Sequence, residues 1–121
     1  MASPAGPADA DAADRRAELA AHADVIVAGE ETVDLVAAVS ALAERGHRRM
    51  LAEGGPHLLA QLLEARLLDE LCLTVGPLMA GPGANRIVAG ALPTAPPLPL
   101  ALAHVLADDS FLFCRYIRKD L

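Results

Sequence analysis

Residues 48–75 read RRMLAEGGPHLLAQLLEARLLDELCLTV, and this stretch decides the fold. Residues 48–52 predict a short strand, and Glu53-Gly54-Gly55 predicts a turn directly after it. Pro56 suits the first position of a helix, because its missing N–H would have no partner there in any case. Leucines at helical spacing then predict a helix with one buried side, ending near Leu67. Residues 71–75 predict a further strand.

The same alternation extends on both sides of this stretch. Val25–Gly29 is a β-branched run that ends in glycine, which is typical of a buried, parallel strand. The helix after it is predicted to begin at an N-cap, Thr32, and to stop at Gly46. Leu100–Leu106 and Phe111–Arg118 predict two strands of an antiparallel hairpin. The fold class is therefore α/β, with a mixed, mostly parallel sheet of about five strands flanked by helices.

Length and composition bound the class of protein. The chain has 121 residues, of which 54% are hydrophobic and 21% charged, so we expect one packed domain. We predict a flexible segment over residues 1–14 and a folded part over residues 15–121, which opens with a short helix from Asp14 to His22. The net charge of −6 and the scarcity of aromatic residues exclude a nucleic-acid partner.

The sequence pattern does not predict a membrane segment. The first residues have no basic and apolar regions of a secretory signal. Residues 87–107 are apolar for about the length of a span, but they contain prolines that a spanning helix would not easily accommodate. We therefore expect a soluble, cytoplasmic protein without a membrane partner.

The cysteines and histidines give no metal-binding pattern. Cys72 and Cys114 lie in apolar, strand-like surroundings and are expected to be reduced core residues. The four histidines are scattered, without the spacing that zinc ligands need. We predict no metal site.

The turn at Gly54-Gly55 is the one pattern with a chemical mechanism. Glycines allow a ligand to approach the backbone closely, and the first turn of the helix presents unpaired N–H groups and the positive end of its dipole. Together these features predict a phosphate site at the end of a strand. The pattern is neither the dinucleotide fingerprint nor a P-loop, and a plain tight turn explains it equally well.

The residues around the turn have alternative interpretations. Glu53 is either a contact for a sugar hydroxyl, ring N–H or cation, or a helix-capping carboxylate. Thr74 is either a substrate contact or a strand threonine favoured by its β propensity. His57, in the first helical turn, could touch a phosphate or do nothing specific.

The stretch from Arg48 to Val88, and the closing DSFLFCRYIR, resemble the riboflavin-pathway pyrimidine reductases, the RibD C-terminal domain. The shared features are a strand ending in Glu53-Gly54-Gly55, a leucine-rich helix and Leu68-Asp69-Glu70-Leu71. A strand follows, and then Pro77 before a Gly-rich loop.

The resemblance implies a dihydrofolate-reductase-like fold and the reduction of a phosphoribosylaminopyrimidine with NADPH as cofactor. It implies that Gly54, Gly55, Pro56 and His57 hold the cofactor's pyrophosphate. Glu53 would lie between cofactor and substrate, Thr74 near the substrate and Gly29 near the adenosine side. The resemblance assigns no catalytic residue.

The resemblance covers only the C-terminal half of such a reductase domain. Two readings follow: an NADPH-dependent reductase, or a truncated, non-catalytic half-domain that acts as an oligomeric or phosphate-binding module. A partial sheet would leave strand edges open and apolar faces uncovered, so we expect a homodimer. The hairpin Leu100–Arg118 is the candidate interface.

Overall fold

The computed structural model describes residues 7–83, 86–90 and 96–119. The chain divides into two compact units, the first ending at Arg48 and the second beginning at Arg49. Among the described residues, the first unit has two helices, and the second unit has one helix and the sheet. Among the described residues, no helix is long and apolar enough to cross a membrane.

The first unit contains two helices, α1 (Pro7–Ala20) and α2 (Leu35–Glu44). Helix α1 begins seven residues before the predicted start at Asp14, because Ala-rich sequence favours a helix even where, as over residues 11–20, the side chains are exposed. The predicted flexible segment is therefore helical from Pro7 onward, and its residues 1–6 lie outside the described residues.

The two ends of α2 are fixed by local hydrogen bonds. The N-cap is Asp34, whose carboxylate accepts from the Ala37 N–H at 3.0 Å, so the prediction of Thr32 is wrong by two residues. Gly46 follows the helix with a positive φ of 91°. The His47 and Gly46 N–H groups donate back into the last turn, which confirms the predicted glycine stop.

The second unit begins its regular structure with α3 (Pro56–Glu64), which starts where the sequence predicts. Its C-terminus has the same hydrogen-bond pattern as α2, with Arg66 at a φ of 54° in place of glycine. Arg118 donates to the Arg66 carbonyl at 2.8 Å and so ties the last strand to this turn.

Three strands follow: β1 (Glu70–Val75), β2 (Leu100–Asp108) and β3 (Phe111–Arg118). All three were predicted, and they form an antiparallel sheet in the order β1-β3-β2. The β2–β3 hairpin turns at Asp109 and Ser110, whose φ values of 43° and 66° match the turn type that suits strand twist.

The two faces of the sheet differ in burial. On one face, Leu73 of β1 lies opposite Cys114 of β3, which is buried with 8% exposure, and Leu71 lies half-buried beside them. The other face is largely exposed, and we call it the exposed sheet face. Its residues are Glu70, Cys72, Thr74, His104, Leu106, Phe113, Arg115 and Ile117. Cys72 is exposed, so its predicted core position is wrong, whereas that of Cys114 is confirmed.

The predicted strands at Val25–Gly29 and residues 48–52 are absent from the described sheet. Val27 and Leu51 are 65% and 81% exposed, which does not fit strands buried on both faces. Their apolar runs match a buried strand locally, but a parallel strand also needs neighbours to pair with, and the described residues supply none. The sheet of the described residues is consequently antiparallel, not mostly parallel.

Candidate functional site

The turn before α3 leaves the start of that helix without a side-chain cap. Gly55 is the N-cap residue, with an extended backbone (φ −74°, ψ −177°), and Pro56 occupies the first helical position. The Gly55 carbonyl already accepts from the Leu59 N–H at 3.2 Å. Among the described residues, no side chain accepts from the first-turn N–H groups, in contrast to α2, where Asp34 does. Helix α3 thus offers N–H groups and its dipole to an external acceptor.

The two glycines of the turn are constrained differently. A Cβ on Gly54 would overlap the side chain of Leu58, so this position packs against its own helix. A Cβ on Gly55 would meet nothing within 4 Å, and the backbone there is open to any residue. Packing against Leu58 explains glycine at 54, whereas neither packing nor backbone conformation requires glycine at 55. Close approach of a ligand would explain the second glycine.

Glu53 and His57 flank these glycines, and both are exposed. The ring Nδ1 of His57 lies beside Gly90, 3.6 Å from the place of a Cβ on that residue. The Ala89 N–H donates to the Pro56 carbonyl at 3.2 Å. The segment 86–90 therefore lies against the start of α3, and no sequence pattern predicts this contact.

Thr74 lies near the end of β1 on the exposed sheet face, opposite Phe113. Its side chain is accessible. A substrate contact would require this accessibility, but an ordinary threonine on a surface strand would also have it. The substrate role of Thr74 stays a prediction.

Gly29 belongs to the first unit, where local backbone geometry accounts for it. Its φ is 97°, and a Cβ there would overlap the Thr32 carbonyl oxygen. It lines a shallow depression of about 260 Å³ that also includes Arg16. Glycine is required at this position by the chain itself, so its cofactor role also stays a prediction.

A charged pair lies on the exposed sheet face beside Thr74. Arg115 of β3 hydrogen-bonds the Glu70 carboxylate of β1, and the Cys72 thiol lies 3.6 Å from that carboxylate. The bond from Arg115 lowers the pKa of Glu70, against a smaller opposing effect of burial. The same bond raises the pKa of Arg115. The sequence pattern does not predict this pair, because its two residues are 45 positions apart.

The second unit also contains an apolar cavity of about 290 Å³ between α3 and the sheet. Leu59 and Leu63 of α3 line it together with Leu71 of β1 and Leu100 of β2. Its lining has no cluster of polar groups that would suit a phosphate, so the candidate anion site is the turn and not this cavity. Among the described residues, no group of three metal-ligating side chains occurs.

These features define an α/β chain with a candidate anion site at an uncapped helix start. Residues 8–113 match the family model of the RibD C-terminal domain. The chain therefore belongs to that family.

Relatives and a solved structure agree with this assignment. The chain is 41% identical over 59 residues to a 2,5-diamino-6-ribosylamino-4(3H)-pyrimidinone 5′-phosphate reductase of Archaeoglobus fulgidus. It is 37% identical over 68 residues to the reductase of that name from Methanothermobacter thermautotrophicus. A pyrimidine reductase-like protein from Corynebacterium diphtheriae has a similar fold, with a TM-score of 0.75 and 25% identity over 98% of this chain.

The chain spans only part of each of these proteins. The matched segments cover 49% and 56% of this chain, but 27% and 32% of the two curated reductases. The solved structure is covered over 47% of its length.

Proposed function

We propose that this chain takes part in the NADPH-dependent reduction of a phosphoribosylaminopyrimidine in riboflavin biosynthesis. The observation that carries the proposal is the start of α3 directly after Gly55, which has no side-chain cap. The chain also belongs to a family whose named relatives are reductases. Backbone N–H groups there can donate hydrogen bonds to the phosphates of a dinucleotide without a nearby cation, which suits a chain with a net charge of −6.

Each site residue has a distinct role in this proposal. The open backbone at Gly55 and the N–H groups of the first turn, from His57 onward, hold the pyrophosphate, while Gly54 and Pro56 fix the turn. Glu53 lies where cofactor and substrate meet, and Thr74 contacts the substrate. For Gly29, the resemblance implies a role on the adenosine side of the cofactor.

The chemistry needs binding and orientation more than a reactive side chain. The nicotinamide supplies the hydride, and the protein positions both molecules and excludes water. We propose no protein nucleophile and no metal in the reaction. Activity should accordingly survive treatment with EDTA.

We also propose that the complete sheet of the active form is dihydrofolate-reductase-like and mostly parallel. The exposed apolar segments Val25–Gly29 and residues 48–52 join it as strands when further strands lie beside them. The parts of the reductases that this chain does not match would supply those strands. A cytoplasmic location stays part of the proposal.

A second function is favoured by the partial match. A chain that covers about half of the solved neighbour can retain the phosphate turn without a complete substrate site. It would then be a non-catalytic, oligomeric module that binds a nucleotide or phosphate.

One experiment separates the two functions. The purified chain is mixed with NADPH and 2,5-diamino-6-ribosylamino-4(3H)-pyrimidinone 5′-phosphate, and the NADPH absorbance is followed. A substrate-dependent decrease supports the reductase. Binding of NADPH without any decrease supports the module, and an absence of both contradicts the two proposals together.

A further inference from the structure

The apolar cavity between α3 and the sheet has a floor of leucines and a side that opens to solvent. Leu59, Leu63 and Leu71 are half-buried at the floor. At the open side Ile87 is 52% exposed, and Pro97 is exposed as well. A small molecule can therefore enter the cavity without unfolding of the chain.

The floor of this cavity suits an apolar molecule better than water. A water molecule inside a protein needs about two to four polar partners, and leucine side chains offer none. Apolar cavities of about 150 Å³ instead bind molecules such as benzene. At about 290 Å³, the cavity has room for a larger apolar group, of about six to eight carbon atoms.

One charged residue, Glu64, lines the cavity, and within the described ranges every other lining residue is leucine, isoleucine, valine or proline. Glu64 is exposed, and its carboxylate makes no ion pair or hydrogen bond with any described residue. Arg118 lies at the same end of α3, where it bonds the Arg66 carbonyl, but it pairs with Asp69 at 3.6 Å. An apolar cavity with one carboxylate at its edge is complementary to an apolar chain with one cationic group.

Two further features favour a cation over an anion beside Glu64. This residue is the last of α3, and the C-terminal end of a helix carries the negative end of its dipole. The chain as a whole has a net charge of −6. An alkylamine is protonated at neutral pH, as the lysine side chain is, and so supplies the cation.

We propose that this cavity binds an alkyl chain of about six to eight carbon atoms that ends in an ammonium group. The alkyl chain fills the space between Leu59, Leu63 and Leu71, and the ammonium group lies beside the Glu64 carboxylate. The charged part of this site is at the opposite end of α3 from the candidate anion site. The proposal therefore does not rest on the proposed reductase activity.

Calorimetric titration of the purified chain with hexylammonium, hexanol and hexanoate tests the class of ligand, because these molecules differ only in the end group. Hexylammonium should bind most tightly and hexanoate most weakly. Butylammonium should bind about fourfold more weakly for each methylene group that it lacks, since each of these groups is buried in the cavity. An absence of hexylammonium binding, or tighter binding of hexanoate, overturns the proposal.

Removal of one charge tests the place of the ammonium group. Glu64→Gln should weaken hexylammonium binding about two- to fivefold, as for other exposed ion pairs, and should leave hexanol binding unchanged. Glu44→Gln is the matched control, because Glu44 is also an exposed residue at the end of a helix, α2. An equal loss in the two variants, or no loss in either, overturns the contact with Glu64 and with it the proposal.

Filling of the cavity tests where the alkyl chain binds. Val88→Phe and Leu98→Phe each enlarge a lining side chain and should weaken hexylammonium binding by about tenfold or more, because the ring occupies the same space. Leu106→Phe is the control, because Leu106 is 62% exposed and lies on the exposed sheet face, and it should bind like wild type.

Two filling variants are used because a larger side chain can disturb the packing around it. Circular dichroism and urea unfolding identify which of them fold, and the charge variants test the proposal independently of both. Undiminished hexylammonium binding by a folded filling variant overturns the proposal.

Discussion

Gly54 and Gly55 are neighbours in the sequence, but different constraints act on them. The first is held to glycine by the side chain of Leu58, whereas a side chain at the second would extend into open space. The sequence predicts the turn and the start of the helix at Pro56, because both depend on local backbone preferences. It cannot separate the two glycines, since the contact with Leu58 exists only once the helix has formed.

This difference predicts unequal effects on stability. Gly54→Ala should lower the free energy of unfolding by about 1–3 kcal/mol, because the new methyl group overlaps Leu58. Gly55→Ala should change it by no more than about 0.5 kcal/mol. Urea unfolding of the two variants measures this, and equal losses would mean that the turn packs differently.

The strands show which part of the fold could be predicted at the level of elements. Strands β2 and β3 are joined by a two-residue turn, so their alternating pattern and their partner lie within one short segment. The segment Val25–Gly29 has an equally apolar pattern, but its pairing depends on strands distant in sequence. Local pattern predicts a strand in both cases, and only the structure shows which one has a partner.

Substitutions in the hairpin turn should increase the stability of the fold. Asp109 and Ser110 both adopt a positive φ, which costs less for asparagine and glycine. The double variant Asp109→Asn, Ser110→Gly should therefore raise the free energy of unfolding by about 0.5–1 kcal/mol. Ser110→Val is the opposite control and should lower it, and thermal unfolding compares the three proteins. A destabilised Asn-Gly variant would contradict this turn geometry.

The Glu70–Arg115 pair predicts a pH dependence. The pKa of Glu70 lies below its ordinary value of 4.5 in the folded chain, so the pair stabilises the fold above that value. This contribution is lost as the pH falls through the lowered pKa. Glu70→Gln should be less stable than wild type at neutral pH, and the difference should vanish in acid.

Arg115→Gln is the reciprocal variant for that experiment. It removes the partner of the same bond, so it should reduce the same acid-dependent part of the stability. Unfolding in urea at a series of pH values measures all three proteins. A difference between wild type and Glu70→Gln that persists unchanged at low pH would contradict a role for the ionised pair.

At the scale of the whole molecule, family membership and partial length have to be considered together. The family match spans residues 8–113, yet the chain covers 47% of the solved neighbour. Within the described residues only Ala60 and Cys114 are buried apolar residues, which is few for a chain with 54% hydrophobic residues. Exposed apolar segments of this kind favour association with another chain.

The central claim is that the turn before α3 binds the phosphates of NADPH, and calorimetric titration of the purified chain tests it most directly. Wild type should bind NADPH, and more tightly than NADH. Gly55→Val should bind NADPH at least about tenfold more weakly while unfolding at the same urea concentration, because its side chain would fill the space through which the backbone is approached. Equal NADPH affinity in the two proteins, or no binding by wild type, would contradict the claim.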